Sequence, residues 1–162
     1  MSTRTVKSKS TASDPFAAAL RILTRQDRSE TELRSKLKQY GFSVAAIDTA
    51  VEKCHDYNYL NDQKYALERA RMMVRSGRGV GPRVLLELRR RGIDEALVQQ
   101  ALETVASEFE TDQLLREQLE RRFPDFDFNT ADDRQRRRVI SFFQRRGFAL
   151  GELFRILKED PE

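Results

Sequence analysis

One cysteine and one histidine stand in the 162 residues of this chain. A lone Cys54 excludes an internal disulfide, and a lone His55 excludes a multi-histidine or Cys/His zinc site. Adjacent residues point to different faces of a helix, so Cys54 and His55 are expected to pack rather than to share one reactive centre. Proline and glycine are sparse, at four and seven. The apolar runs are short, of the kind seen from Val44 to Ile47, far below the roughly eighteen residues a membrane-spanning helix needs. No apolar signal-peptide core follows Met1, and the expected location is cytoplasmic. With 35% charged residues, the composition describes a soluble, helix-rich chain and not a disordered one.

Against this background one phrase occurs three times. Two apolar residues four apart precede a glycine and an apolar residue, and two more apolar positions four apart follow. The copies are Leu33/Leu37/Gly41-Phe42/Ile47/Val51, Val84/Leu88/Gly92-Ile93/Val98/Leu102 and Val139/Phe143/Gly147-Phe148/Leu153/Leu157. Their spacings of 51 and 55 residues are those of stacked helical units, each too small to bury its apolar face alone. Such arrays offer extended surfaces rather than pockets, which favours binding over catalysis.

Local signals divide each copy into three helices. Residues 1–13 are Ser/Thr-rich, basic and nearly free of apolar side chains, and read as a disordered basic tail. Asp14-Pro15 starts the first helix, with Phe16, Leu20 and Leu23 on one face. Ser29 and Glu32 form a capping-box pattern, and the helix they open carries Leu33, Leu37 and Tyr40 to Gly41. Ser43 caps a third helix. Asn61-Asp62 starts a fourth, interrupted at Ser76-Gly77-Arg78-Gly79-Val80-Gly81. Pro82 opens a helix ending at Gly92, and Asp94 caps the next. The last triplet runs from Thr111, crosses an Asp/Phe-rich linker at 124–129, restarts with Thr130 and Asp133 as a cap, and stops at Gly147 and near Lys158. The expected fold is all-α, an elongated array of three tandem three-helix repeats over 14–58, 59–108 and 109–160, with no sheet.

Three motifs invite a chemistry that their context withholds. Gly77-x-Gly79-x-Gly81 lacks the preceding strand and following Lys-Ser/Thr of a phosphate loop, so it reads as a flexible turn whose Arg78 reaches a partner. Asp125, Asp127 and Asn129 have calcium-loop spacing, but Thr130 and Arg136 replace the glycine and the bidentate glutamate. No Ser/His/Asp or Cys/His constellation can be assembled around His55, and no enzyme is read here. Tyr57, Tyr59 and Tyr65 could stack on bases, but aromatics at helix junctions are more often core, as are Phe142 and Phe143.

The charge distribution is the strongest functional signal. The net charge is only +4, yet Asp62 to Ile93 holds nine Lys/Arg against three acids, and Arg134 to Arg146 holds six arginines and no acid. Arg89, Arg90 and Arg91 precede one repeat glycine, and Arg145 and Arg146 precede another. Cations at helix C-termini are favoured by the dipole, but Arg134, Arg136, Arg137 and Arg138 stand at an N-terminus, where they are not. With Arg75, Arg78 and Arg83, these residues form a candidate surface for phosphate or for protein carboxylates.

The segments Tyr59-Leu60-Asn61-Asp62-Gln63-Lys64-Tyr65-Ala66 and Gly81-Pro82-Arg83-Val84-Leu85-Leu86-Glu87-Leu88-Arg89-Arg90-Arg91-Gly92-Ile93-Asp94 resemble the RecX family of recombination regulators. Its central repeat begins with a leucine, an asparagine or aspartate, an aspartate, an aromatic and an alanine, and closes with a leucine-rich helix and glycine-isoleucine. Leu23 to Leu33 and Lys36-Leu37 are similar to the family's first repeat. The likeness is clear over residues 15–105 and loose over 106–158, where the Asp/Phe linker and the arginine run depart from the pattern. It implies a non-enzymatic modulator without cofactors that binds the RecA filament on DNA and lies across neighbouring subunits. Such a modulator suppresses strand exchange, ATPase and co-protease activity in DNA repair and the SOS response. The implied partners are RecA and DNA, single-stranded or filament-bound, with no membrane and a monomeric protein. A helical DNA-binding module acting without RecA, and an enzyme with an unrecognised site, are the alternatives.

Overall fold

The computed structural model describes residues 14–159; the basic tail expected at 1–13 lies outside them. Nine helices and no strand occur among the described residues: α1 (Pro15–Arg25), α2 (Glu30–Gln39), α3 (Val44–Asp56), α4 (Asp62–Arg75), α5 (Pro82–Arg90), α6 (Glu95–Glu108), α7 (Thr111–Arg122), α8 (Asp133–Gln144) and α9 (Leu150–Leu157). The chain is an all-α helical-repeat protein. It divides into two compact units, 14–65 with Arg91–Ile93, and 66–90 with 94–159.

In the first unit α1, α2 and α3 pack on one another around Ala18, Ile22, Leu33, Leu37, Ile47, Val51 and Cys54. Each large aliphatic side chain withdrawn from water there contributes about 1.5–3 kcal/mol. The helix starts are as the sequence marks them. Asp14 accepts from the amides of Phe16 and Ala17, Ser29 and Glu32 exchange both capping-box bonds, and Ser43 accepts from Ala46. The buried stripe ends at Leu37 rather than Tyr40, because Tyr40 is half exposed at the C-cap of α2. In the second unit the fully buried Val84, Leu88, Val98, Leu115, Phe143 and Leu153 belong to α5 through α9. Phe143 stands edge-on to Phe142 and Phe148, with ring centroids 5.1 and 5.5 Å apart. The cap of α8 is Asp132 paired with Gln135, not Thr130 with Asp133; Thr130 instead donates to Asp127.

A joint that the periodicity does not announce recurs once in each unit. In the first, Ser29 Oγ donates to the carbonyl of Arg91 at 2.5 Å, and Thr31 Oγ1 donates to that of Gly92 at 3.1 Å. Gly92 sits so close to Thr31 that a Cβ there would lie 2.5 Å from its side chain. In the second, the amide of Val80 donates to the carbonyl of Arg146 at 2.8 Å, and a Cβ on Gly147 would run into the Val80 carbonyl and the Arg83 backbone. Ser29 and Val80 are 51 residues apart, and Arg91 and Arg146 are 55 apart, the repeat spacings themselves. The glycine exit of one repeat thus docks on the start of the preceding repeat's middle helix. This corrects the expectation for Gly77–Gly81: Gly79 and Val80 are buried, Gly77 lies against Gln118, and the turn is packed rather than flexible.

Ser29 is fully buried, closes the capping box and donates to Arg91. Ser29→Ala removes both roles and leaves a buried carbonyl without its donor. The expected loss is about 2 kcal/mol, against about 1 kcal/mol for the exposed cap change Ser43→Ala, both read from urea midpoints.

Candidate functional site

The twelve arginines marked by the sequence separate into those the fold uses and those it does not. Four are engaged. Arg89 forms a two-bond ion pair with Glu95 at 2.7 and 2.8 Å, and this partner, with Gln99, holds the Glu95 carboxyl down to about 2. Arg91 donates to Glu32 Oε1 and Tyr65 Oη, each at 2.9 Å. Arg136 donates to the carbonyl of Phe128 at 2.9 Å and lies over that ring. Arg146 donates to the carbonyls of Gly77 and Phe142 at 3.0 and 3.2 Å, and its guanidinium stacks 3.5 Å from the Phe142 centroid. These four are first of all parts of the framework, so the expectation that whole arginine clusters face a partner is narrowed.

Three more are lightly held. Arg75 and Arg138 lie over the rings of Phe109 and Phe123 at 5.8 and 6.0 Å, and Arg137 donates to the carbonyl of Asp133 in its own helix. The side chains of the remaining five, Arg78, Arg83, Arg90, Arg134 and Arg145, have no hydrogen bond, ion pair or ring contact among the described residues. All but the half-buried Arg83 are exposed.

Elsewhere in the second unit several cations are matched to acids: Arg69 to Glu87, Arg71 to Glu108, Arg116 to Glu159 and Arg155 to Asp112. Around Arg146 they are not. Burial, then the charges of Arg122 and Arg145, lower the Arg146 pKa from its ordinary value, so three guanidiniums share one neighbourhood. Arg122 was not singled out by the sequence pattern. Its signal was available, since Arg121-Arg122 ends α7 just before Phe123, much as Arg145-Arg146 precedes Gly147. Arg122 and Arg138 also line a recess of about 470 Å³ with Phe123, Asp125, Phe126, Asp127 and Gln135. Guanidiniums that form no ion pair gain from an external anion, through charge-assisted bonds that also relieve their self-repulsion.

Other candidates resolve differently from the sequence expectation. His55 is exposed rather than packed, and its Nε2 lies 2.7 Å from Glu30 Oε2. Burial opposes it, but hydrogen bonds from Arg34 and His55 hold the Glu30 carboxyl below the usual range. Burial pushes the nearby Asp62 carboxyl up, although it accepts from the Glu30 amide at 2.8 Å. Cys54 is buried as expected. Tyr57 and Tyr59 are not core: they are 64% and 55% exposed and form a ladder with Phe16 at centroid distances of 6.0 and 6.1 Å. Tyr65 is half-buried and held by Glu32 and Arg91. No helix among the described residues is long and apolar enough to cross a membrane.

Capped, glycine-ended helices, exits docked on the preceding repeat and a surplus of unpaired arginine define an all-α repeat protein with a cationic surface. The family models "RecX, first three-helix domain" and "RecX, second three-helix domain" match residues 16–54 and 61–102. A Regulatory protein RecX of Syntrophotalea carbinolica is 44% identical over 147 residues, covering 91% of this chain and 96% of the relative. One from Trichlorobacter lovleyi is 40% identical over 84% of this chain and 88% of its own. Two crystal structures share the fold. One of regulatory protein RecX has a TM-score of 0.71 at 22% identity, covering 90% of this chain and 70% of that one. That of RecX from Lactobacillus salivarius has 0.68 at 23%, covering 89% and 92%. The chain belongs to the RecX family.

Proposed function

We propose that this protein is a non-enzymatic regulator that binds the RecA nucleoprotein filament and restrains its strand exchange, ATPase and co-protease activity. It acts in the cytoplasm as a monomer, in recombination and DNA repair. Family membership supports the partner. The observation that supports the mode of contact is the crowd of Arg122, Arg145 and Arg146, which forms no ion pair among the described residues, whereas Arg69, Arg71 and Arg155 of the same unit do. Filament-bound DNA phosphate, or acidic side chains beside it, would supply the missing anions. Individual surface contacts of this kind are weak. Along a polymer they combine through effective concentration, so one chain holding several of them dissociates slowly.

The test is co-sedimentation with RecA filaments assembled on single-stranded DNA, alongside strand exchange. The expected outcome is saturable pelleting and inhibited exchange. No pelleting and no effect at a large excess overturns the proposal. Equal affinity for naked DNA, with a steep loss on adding salt, would instead identify a DNA-binding module that needs no RecA.

A further inference from the structure

Two aromatic rings of the first unit are displayed by the backbone rather than packed by it. Tyr57 is the C-cap of α3, and Asn58 follows it with a left-handed φ of +57°. The turn is closed by its own amides: Asn58 donates to the carbonyl of His55 at 3.0 Å and Tyr59 to that of Cys54 at 2.8 Å. Both tyrosine rings therefore stand on a fixed backbone, each more than half exposed. They extend a row rooted on Phe16, which is partly buried against the core of this unit, with centroid steps of 6.0 and 6.1 Å. Neither Tyr57 nor Tyr59 spends its hydroxyl on a hydrogen bond among the described residues.

We propose that the row Phe16, Tyr57 and Tyr59 is a stacking platform for the unpaired bases of single-stranded nucleic acid. Every base has an apolar π-face that gains by lying on an exposed aromatic ring, whatever its sequence. Bases in a duplex are stacked on one another and do not offer that face, so the occupant is a single strand. The charges beside the rings suit its backbone. Lys53 Nζ lies 5.7 Å from the Phe16 centroid and forms no ion pair among the described residues. Residues 1–13, which join α1 two residues before Phe16, carry Arg4, Lys7 and Lys9 and no acid. The acid at that junction, Asp14, is turned to the amides of Phe16 and Ala17. Between Lys53 and Asn61 the sequence holds one acid, Asp56. Cations with free tyrosine hydroxyls meet phosphate and sugar oxygens, while the rings take the bases.

A protein partner suits the rings less well. The other large exposed apolar side chains of this unit, Tyr40 and Val44, stand near the start of α3. Its 13 residues put the tyrosine pair about 20 Å away, and the neighbouring Leu60 is buried. The platform is thus aromatic and polar without an aliphatic margin. This contact goes beyond the filament reading and does not depend on it.

The test needs no RecA. Anisotropy of a fluorescent oligothymidylate of about twelve nucleotides gives the affinity of the full chain. Tyr57→Ser with Tyr59→Ser should weaken it about 30-fold with melting unchanged, while Tyr57→Phe with Tyr59→Phe, which keeps the rings, should stay within about threefold. No binding by the unchanged protein, or wild-type affinity in the serine variant, overturns the platform. So does a phenylalanine variant as weak as the serine one. The same strand carrying 5-iodouracil, irradiated with the unchanged protein, gives an arm independent of folding energetics. Crosslinks at Tyr57 or Tyr59 are expected, and crosslinks confined to other residues overturn the inference. Self-association that the serine substitutions abolish would identify a contact between copies of this chain and overturn it too. Each of these failures leaves the RecA reading standing, and failure to pellet with RecA filaments leaves the platform standing.

Discussion

Gly147→Ala is expected to cost about 3 kcal/mol, whereas Gly41→Ala should cost about 1 kcal/mol. Both glycines end a middle helix with positive φ, where an L side chain pays about 1–2 kcal/mol of backbone strain. Only at Gly147 does the new Cβ also meet backbone, the Val80 carbonyl and the Arg83 amide. Neither group can rotate away, so the second unit must open its joint or tolerate overpacking of about 1–3 kcal/mol. For a chain of this size the difference appears as a melting point about 6–12 °C lower for Gly147→Ala than for the wild type. Thermal unfolding followed by circular dichroism distinguishes the two. Equal costs would show that the exits of the first and third repeats are not distinguished by docking.

The second large effect separates arginines that look alike in sequence. Changing Arg78, Arg83, Arg90 and Arg145 together to Gln should weaken filament binding about 100-fold at low salt, four surface contacts at about 0.5–1 kcal/mol each. Stability should move little, since none has an internal partner. Arg146→Gln should behave in the opposite sense. It removes two hydrogen bonds to backbone carbonyls and a guanidinium stacked on Phe142, at about 2 kcal/mol. The paired measurements are filament affinity and the urea midpoint. A large stability loss in the fourfold variant, or none for Arg146→Gln, would reverse the division between binding and framework arginines.

The helices were legible because their signals are local. A Pro after Asp14, Ser29 three residues before Glu32, and glycines after apolar pairs act over one turn, and each appears where expected. The cap of α8 was misplaced by two residues because Thr130, Asp132 and Asp133 all have cap chemistry, and only the backbone path selects Asp132. Tyr57 and Tyr59 were expected in the core on residue type alone, but the turn at Asn58, with φ of +57°, leaves both outside. Of the arginine surface, the sequence showed the clusters but not their division. Arg91 reaches Glu32 across 59 residues and Arg146 reaches the Gly77 carbonyl across 69, separations that no periodicity encodes. Arg122 was passed over because its neighbours Arg145 and Arg146 approach it only in space.

By itself, then, the chain's sequence determined the fold class, the repeat and the absence of disulfide or multi-histidine chemistry, because capping, helical periodicity and residue counts are properties of short stretches. The tertiary structure decided which glycine exits are covered, which arginines are consumed and which remain open to an external anion. Those outcomes depend on the donors and acceptors that each repeat brings to the next, and a hydrogen bond across 60 residues is specified by packing rather than by any local pattern.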